Sequence, residues 1–92
     1  MTAYSSKLTI HFDDDPWPER VLDCRGQLCP APIIALGRHI GEVAVGELLG
    51  VAADDPAARH DVPAWARMRG QEFVVERPAE DGVPVYVVRR IS

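Results

Sequence analysis

The chain has 92 residues, 47 % of them hydrophobic, enough for one modest core in a single domain. Ten basic residues against 14 acidic ones leave a formal net charge of −4, which removes any general electrostatic attraction to nucleic acid or to an anionic membrane. The opening residues lack the continuous apolar core of a signal peptide, no later run is long enough to span a bilayer, and two cysteines cannot build a disulfide framework, so the sequence reads as a soluble cytoplasmic protein that keeps its cysteines as thiols.

Residues 1–19 read as an amino-terminal arm or an extra edge strand. In "LTIHF", Leu8, Ile10 and Phe12 alternate like one face of a strand, and the breaker-rich "DDDPWP" follows. A domain over residues 20–92 then opens with the strand "RVLDC", ended by a turn at Gly26. The next element is a helix over Pro30 to Ile40, which puts Ile33, Leu36 and Ile40 on one face and stops at Gly41. "GELLGVAA" is the second strand. "DDPAARHDVPAWARMRG" is a second helical stretch with an Asp-Pro start and a glycine end. Pro63 predicts a break there: a short turn to Arg59 or His60, a fresh cap at Asp61, and a main helix through Met68, with Val62, Trp65, Ala66 and Met68 toward the sheet. "QEFVVER" and "VPVYVVRRI" are two more strands around the Asp-Gly turn of "PAEDG".

The order β-α-β-α-β-β predicts an α+β fold: a two-layer sandwich with both helices on one face of a mixed four-stranded sheet. If the first two strands form a βαβ unit they are parallel, and their carboxyl-terminal ends share a rim. Cys29, Asp54 and Asp55 then lie on that rim.

"RGQLCPAP" raises the chemical question, because Cys29 stands between a glycine turn and two prolines. The first turn of a helix leaves its N–H groups without intrahelical partners, so Pro30 and Pro32 start the helix rather than break it. A cysteine at that point meets the positive end of the helix dipole, which favours the thiolate. Ala31 and Ile33 retain N–H groups near the sulfur, and Arg25 is the nearest residue able to add positive potential. A free cysteine is commonly just a small buried hydrophobe, but such a side chain does not need so rigid a mount, and Cys29 reads as a reactive thiol.

"LDCRGQLCPAP" matches the pattern D-x-x-G-x-x-C-P-x-P and thereby resembles the TusA/SirA-like sulfur-carrier proteins. The likeness continues through "VGELLGVAADDPAARHDVPAWARMRGQEFV" and covers about residues 20 to 91. It implies the same β-α-β-α-β-β sandwich. It also implies that Cys29 accepts sulfane sulfur as a persulfide from a donor protein, a cysteine desulfurase or a rhodanese-like protein, and passes it to an acceptor protein. Such a protein is a carrier more than a turnover enzyme, and no cofactor and no membrane or direct nucleic-acid contact is implied. Two departures stand out. Leu28 occupies a position where members often carry a basic residue, and the lead from Met1 to Glu19 is longer than theirs. Arg38 falls where members commonly present basic residues to partners.

The remaining candidates keep two readings each. Asp54 and Asp55 serve as a helix cap, as a docking or orienting feature on the cysteine's rim, or as both. Cys24 is a core residue or a resolving thiol, and the second reading makes the protein a dithiol redox protein. A regulatory adaptor that binds partners through the same rim is a further alternative. His39 lies ten residues beyond Cys29, about 15 Å along the helix, too far to act as its base. The scattered histidines and cysteines lack the paired spacing of zinc sites, so no metal is expected.

Overall fold

The computed structural model describes residues 17–28 and 30–92. The alternating segment around Ile10 and the side chain of Cys29 lie outside the described residues. Within them run β1 (Arg20–Asp23), α1 (Ala31–His39), a short 3-10 turn (Ile40–Glu42), β2 (Leu48–Ala52), α2 (Ala58–Arg69), β3 (Glu72–Pro78) and β4 (Pro84–Arg89). The sheet order is β1-β2-β4-β3. β1 is parallel to β2, from Arg20 opposite Leu49 to Asp23 opposite Ala52. β4 is antiparallel to both β2 and β3. The sheet is mixed and the fold is α+β, as the element order predicts.

Alternation along the strands divides the apolar residues between two faces. Leu22, Leu49, Val51, Tyr86 and Val88 meet Leu36 of α1 and Val62, Trp65 and Ala66 of α2 in the main core. The second set, Leu48, Ala52, Val85 and Val87, gathers on the other face and includes no helical residue. Both helices therefore cover one side. They approach each other at Gly37, where an added Cβ would lie 3.5 Å from the Arg69 guanidinium and 3.7 Å from the Trp65 indole nitrogen. Ile33 and Ile40 flank Leu36 against the core, as their spacing requires.

Two details of the helices differ from the sequence expectation. α1 begins at Ala31, with Pro30 as its cap and Pro32 as its second residue. The reading of the prolines as starters holds one residue later than expected. α2 is continuous, with Pro63 inside it and Asp61 in its first turns rather than capping a new helix. Its opening is wound tightly: Ala58, Arg59 and His60 donate their N–H groups to the carbonyls of Asp55, Pro56 and Ala57, each three residues back, before Asp61 bonds to Ala57 in the α pattern. Pro63 removes only the bond to Arg59, an exposed residue where solvent can replace the donor. Burial of Ala58, Val62, Trp65 and Ala66 offsets that loss.

Met68 does not face the sheet; it is 77 % exposed. At about 100° per residue it lies roughly 120° around the helix from Val62, outside the buried stripe. α2 ends at Gly70, φ 73°, where Gln71 donates to Ala66 and Gly70 to Arg67 in a Schellman arrangement.

Candidate functional site

Because β1 and β2 run in the same direction, the loop after β1 and the loop after β2 emerge on one rim. The antiparallel β4 starts there too, with Ala52 opposite Val85, so the turn between β3 and β4 joins them. The loop after β1 carries the cysteine-proline motif. Its fold is set by short hydrogen bonds: Cys24 donates to Ala52 and prolongs the parallel ladder, and Gln27 donates back to Cys24 across the turn. Gly26 has φ 77°, in the left-handed region that costs a side-chain-bearing residue about 1–2 kcal/mol.

Asp54 holds this turn. Both of its carboxylate oxygens lie 3.1 Å from the Gly26 nitrogen and share its proton. Asp55 shapes the turn that leads into α2, two residues ahead of the N-cap Ala57, accepting from Ala57 at 3.0 Å through its side chain and from Ala58 through its carbonyl. The two adjacent aspartates thus take separate roles: Asp54 braces the motif loop and Asp55 shapes the approach to α2.

Arg25 is engaged by carboxylates of two other segments. Its guanidinium pairs with Asp23 at 3.0 Å and with Asp81, in the β3–β4 turn, at 2.9 Å. Hydrogen bonds to Asp81 and then Asp23 raise its already high pKa. Both carboxyls are lowered: Asp23 first by the backbone N–H of Arg25 and then by its guanidinium, Asp81 first by the backbone N–H of Val83 and then by Arg25. Two carboxylates engage one guanidinium, so Arg25 ties the loop to the hairpin more than it adds positive potential. Sequence reasoning missed Asp81, because a turn aspartate 56 residues away in the chain carries no local sign of its partner.

At the helix start, the Ala31 N–H is spent on the Leu28 carbonyl at 2.9 Å, and Ile34 donates to Pro30. Ala31 is therefore not a free donor for a sulfur at position 29, contrary to expectation. The bond has a second effect. Leu28, the residue that a donor at position 32 would reach, already has its carbonyl satisfied, so Pro32 leaves nothing orphaned. Leu28 itself is 78 % exposed and Pro30 is exposed, so the residues on either side of Cys29 meet solvent.

Cys24 is in the main core, 4 % exposed, and burial first, with Asp23 second, pushes its thiol above the ordinary 9.0. Arg38 is exposed on α1 and, among the described residues, makes no ion pair. His39 is engaged with Glu42 at 2.7 Å near the opposite end of α1. Trp17 is half exposed under the Arg77 guanidinium, 5.5 Å from the ring centre, and shares an open cleft with Arg25 and Asp81. Among the described residues no group of histidine, cysteine and acidic side chains could hold a metal, and no helix is long and apolar enough to cross a membrane.

These features define a small α+β sandwich with a cysteine-proline helix start braced on a three-loop rim. The family model described as sulfurtransferase TusA matches residues 20–90, and the chain belongs to that family. A sulfur carrier protein TusA of Pseudomonas putida strain W619 is 36 % identical over 73 residues, covering 79 % of this chain and 90 % of that protein. Its counterpart in Pseudomonas syringae pv. syringae is 38 % identical over 71 residues, 77 % of this chain and 83 % of its own. A protein of Archaeoglobus fulgidus reaches 41 % over 71 residues, with coverages of 77 % and 92 %. The crystal structure of a SirA-like protein from Desulfitobacterium hafniense has the same fold, with a TM-score of 0.66 at 22 % identity over 79 % of this chain and 99 % of the other.

Proposed function

We propose that the protein is a sulfur carrier in which Cys29 bears the sulfur as a persulfide. The Cys29 thiolate attacks the terminal sulfur of a donor persulfide; a new S–S bond forms, the donor's S–S bond breaks, and the donor leaves as a thiolate. Delivery repeats the exchange with an acceptor thiolate attacking the terminal sulfur on Cys29. No net oxidation occurs in either step, and no dedicated base is required, because the rate follows thiolate fraction, nucleophilicity and access.

The observation that carries this reading is the braced motif loop, in which Asp54 holds Gly26 and Arg25 bridges to Asp81 just ahead of an exposed helix start, on a chain of the TusA family. Relatives named as sulfur carriers support it. Pro30 and Pro32 fix the helix start, and Arg38 is offered to partners on α1. With Arg25 occupied by two carboxylates and the Ala31 amide by Leu28, the start of α1 is the remaining source of thiolate stabilisation among the groups considered. The donor is a cysteine desulfurase or rhodanese-like protein, the acceptor a second protein, and the setting a reducing cytoplasm. The burial and raised pKa of Cys24 weigh against a dithiol mechanism.

Incubation with a desulfurase, cysteine and labelled sulfur tests the proposal. One sulfur is gained at Cys29, removed by reductant, and Cys29→Ser gains none. Failure to load under conditions that load a TusA relative overturns it.

A further inference from the structure

The solvent side of α1 carries apolar residues down to the motif loop. Pro32 and Leu36 are the buried residues of this helix, and at about 100° per residue Ile34 lies roughly 160° around it from Leu36. Ile34 is 54 % exposed. One turn below, the exposed Pro30 accepts the Ile34 N–H at 2.9 Å through its carbonyl. Leu28, more exposed still, is fixed beneath the same turn by its carbonyl's bond from Ala31. Hydrophobic residues scattered singly over a surface need no explanation, but these three adjoin one helix start.

Charge offers a partner little at this point. The Arg25 guanidinium is taken by Asp23 and Asp81, the Asp54 carboxylate by the Gly26 N–H, and the Asp55 carboxylate by Ala57. Arg38 lies on the same exposed stripe about 6 Å beyond Ile34, at 1.5 Å per residue, and makes no ion pair among the described residues. Sulfur exchange at position 29 brings a partner's sulfur to that residue, so the partner surface must cover residues 28 and 30. Such cover acts differently on the two half-reactions. In loading, the Cys29 thiolate attacks the donor's terminal sulfur and the donor leaves as a thiolate, and removing water from the attacking anion favours the step. In delivery Cys29 is itself the leaving thiolate, which loss of water opposes. Apolar cover therefore suits the donor.

We propose that Leu28, Pro30 and Ile34 form an apolar collar that seats in an apolar hollow around the donor protein's persulfide, with Arg38 meeting a donor carboxylate at its edge. The inference rests on the carrier reading, since sulfur exchange at position 29 is what obliges a partner to cover this ground. Leu28 is its anchor, with the largest exposed apolar surface next to the exchange point.

Transfer of labelled sulfur from a loaded cysteine desulfurase to the full-length protein tests this. Leu28→Ala should lower the second-order rate of loading by about ten-fold. Leu28→Met should stay within about two-fold of wild type, and Leu28→Lys should fall below Leu28→Ala. Arg38→Gln should slow loading at low salt and leave it unchanged at about 0.5 M, where exposed charges are screened. Val45, exposed in the loop ahead of β2 at the far end of the sheet, is the control: Val45→Ala should load as wild type does. Iodoacetamide needs no docking surface, so its rate at Cys29 should be equal in wild type and Leu28→Ala; a parallel loss there assigns Leu28 to the setting of the thiol and overturns the collar. Undiminished loading of Leu28→Ala, faster loading of Leu28→Lys, or a loss confined to delivery overturns the proposal and leaves the carrier reading standing. A dimer that Leu28→Ala dissociates places a second copy on the collar and also overturns it. A wild type that takes up no sulfur overturns the carrier reading itself.

Discussion

Asp54→Ala is the sharpest probe of the site, because it removes the acceptor that fixes Gly26 without touching the motif. The two oxygens share one proton at 3.1 Å, so they count as a single charge-assisted bond. Such bonds contribute roughly 1.5–3 kcal/mol, and exposure at this rim, where water can replace the acceptor, brings the loss to about 1 kcal/mol. That is about a five-fold change in the population of the ordered loop. Urea unfolding should register the loss of stability, and the rate of sulfur loading onto Cys29 should fall by up to about five-fold. Asp54→Asn retains one acceptor oxygen and should fall between wild type and Ala. An Ala variant that loads at the wild-type rate with unchanged stability refutes the brace, and an Asn variant worse than Ala shows that charge, not the bond to Gly26, is what matters.

Arg25→Gln should move the titrations of Asp23 and Asp81 upward, partway to the ordinary 3.8, because the backbone N–H bonds of Arg25 and Val83 remain; carboxyl NMR titration reads this. Since both groups are depressed in the fold, their contribution to stability is complete above 3.8 and is lost as pH falls through the lowered values, so the wild type should lose more stability in acid than Arg25→Gln. Cys24→Ala should keep sulfur loading, and iodoacetamide at neutral pH should label the native protein at Cys29 alone, with Cys24 reacting only after unfolding; native labelling of Cys24 contradicts its burial. Leu36→Ala, which empties a fully buried position on the core side of α1, should cost about 2–5 kcal/mol in urea unfolding.

The order of elements was legible because each has a local cause. Ile33, Leu36 and Ile40 repeat at helical spacing, Gly70 takes the left-handed conformation that ends α2, and Gly82 supplies a positive φ in the hairpin turn. Pro63 misled because a proline's local cost is visible in sequence while the burial of Val62 and Trp65 that outweighs it is tertiary. Met68 misled because a hydrophobic residue near a helix end need not lie on the buried stripe. At the site, the motif announced Cys29, Pro30 and Pro32, and the parallel pairing of β1 and β2 placed Asp54 on their rim. The partner of Arg25 was illegible, since nothing near Asp81 in the chain refers to the first loop, and the choice between bracing and capping for Asp54 depended on where the Gly26 N–H points.

The Arg25–Asp81 bridge makes the final hairpin a remote handle on the first loop. A register slip of one residue between β3 and β4, or a longer turn at Ala79–Val83, would shift the anchor that the motif leans on while leaving every motif residue in place. Turn length in the last third of the chain is thus a means of adjusting how firmly the opening loop is held, and swapping that turn among related chains would tune the cysteine-proline loop without editing it.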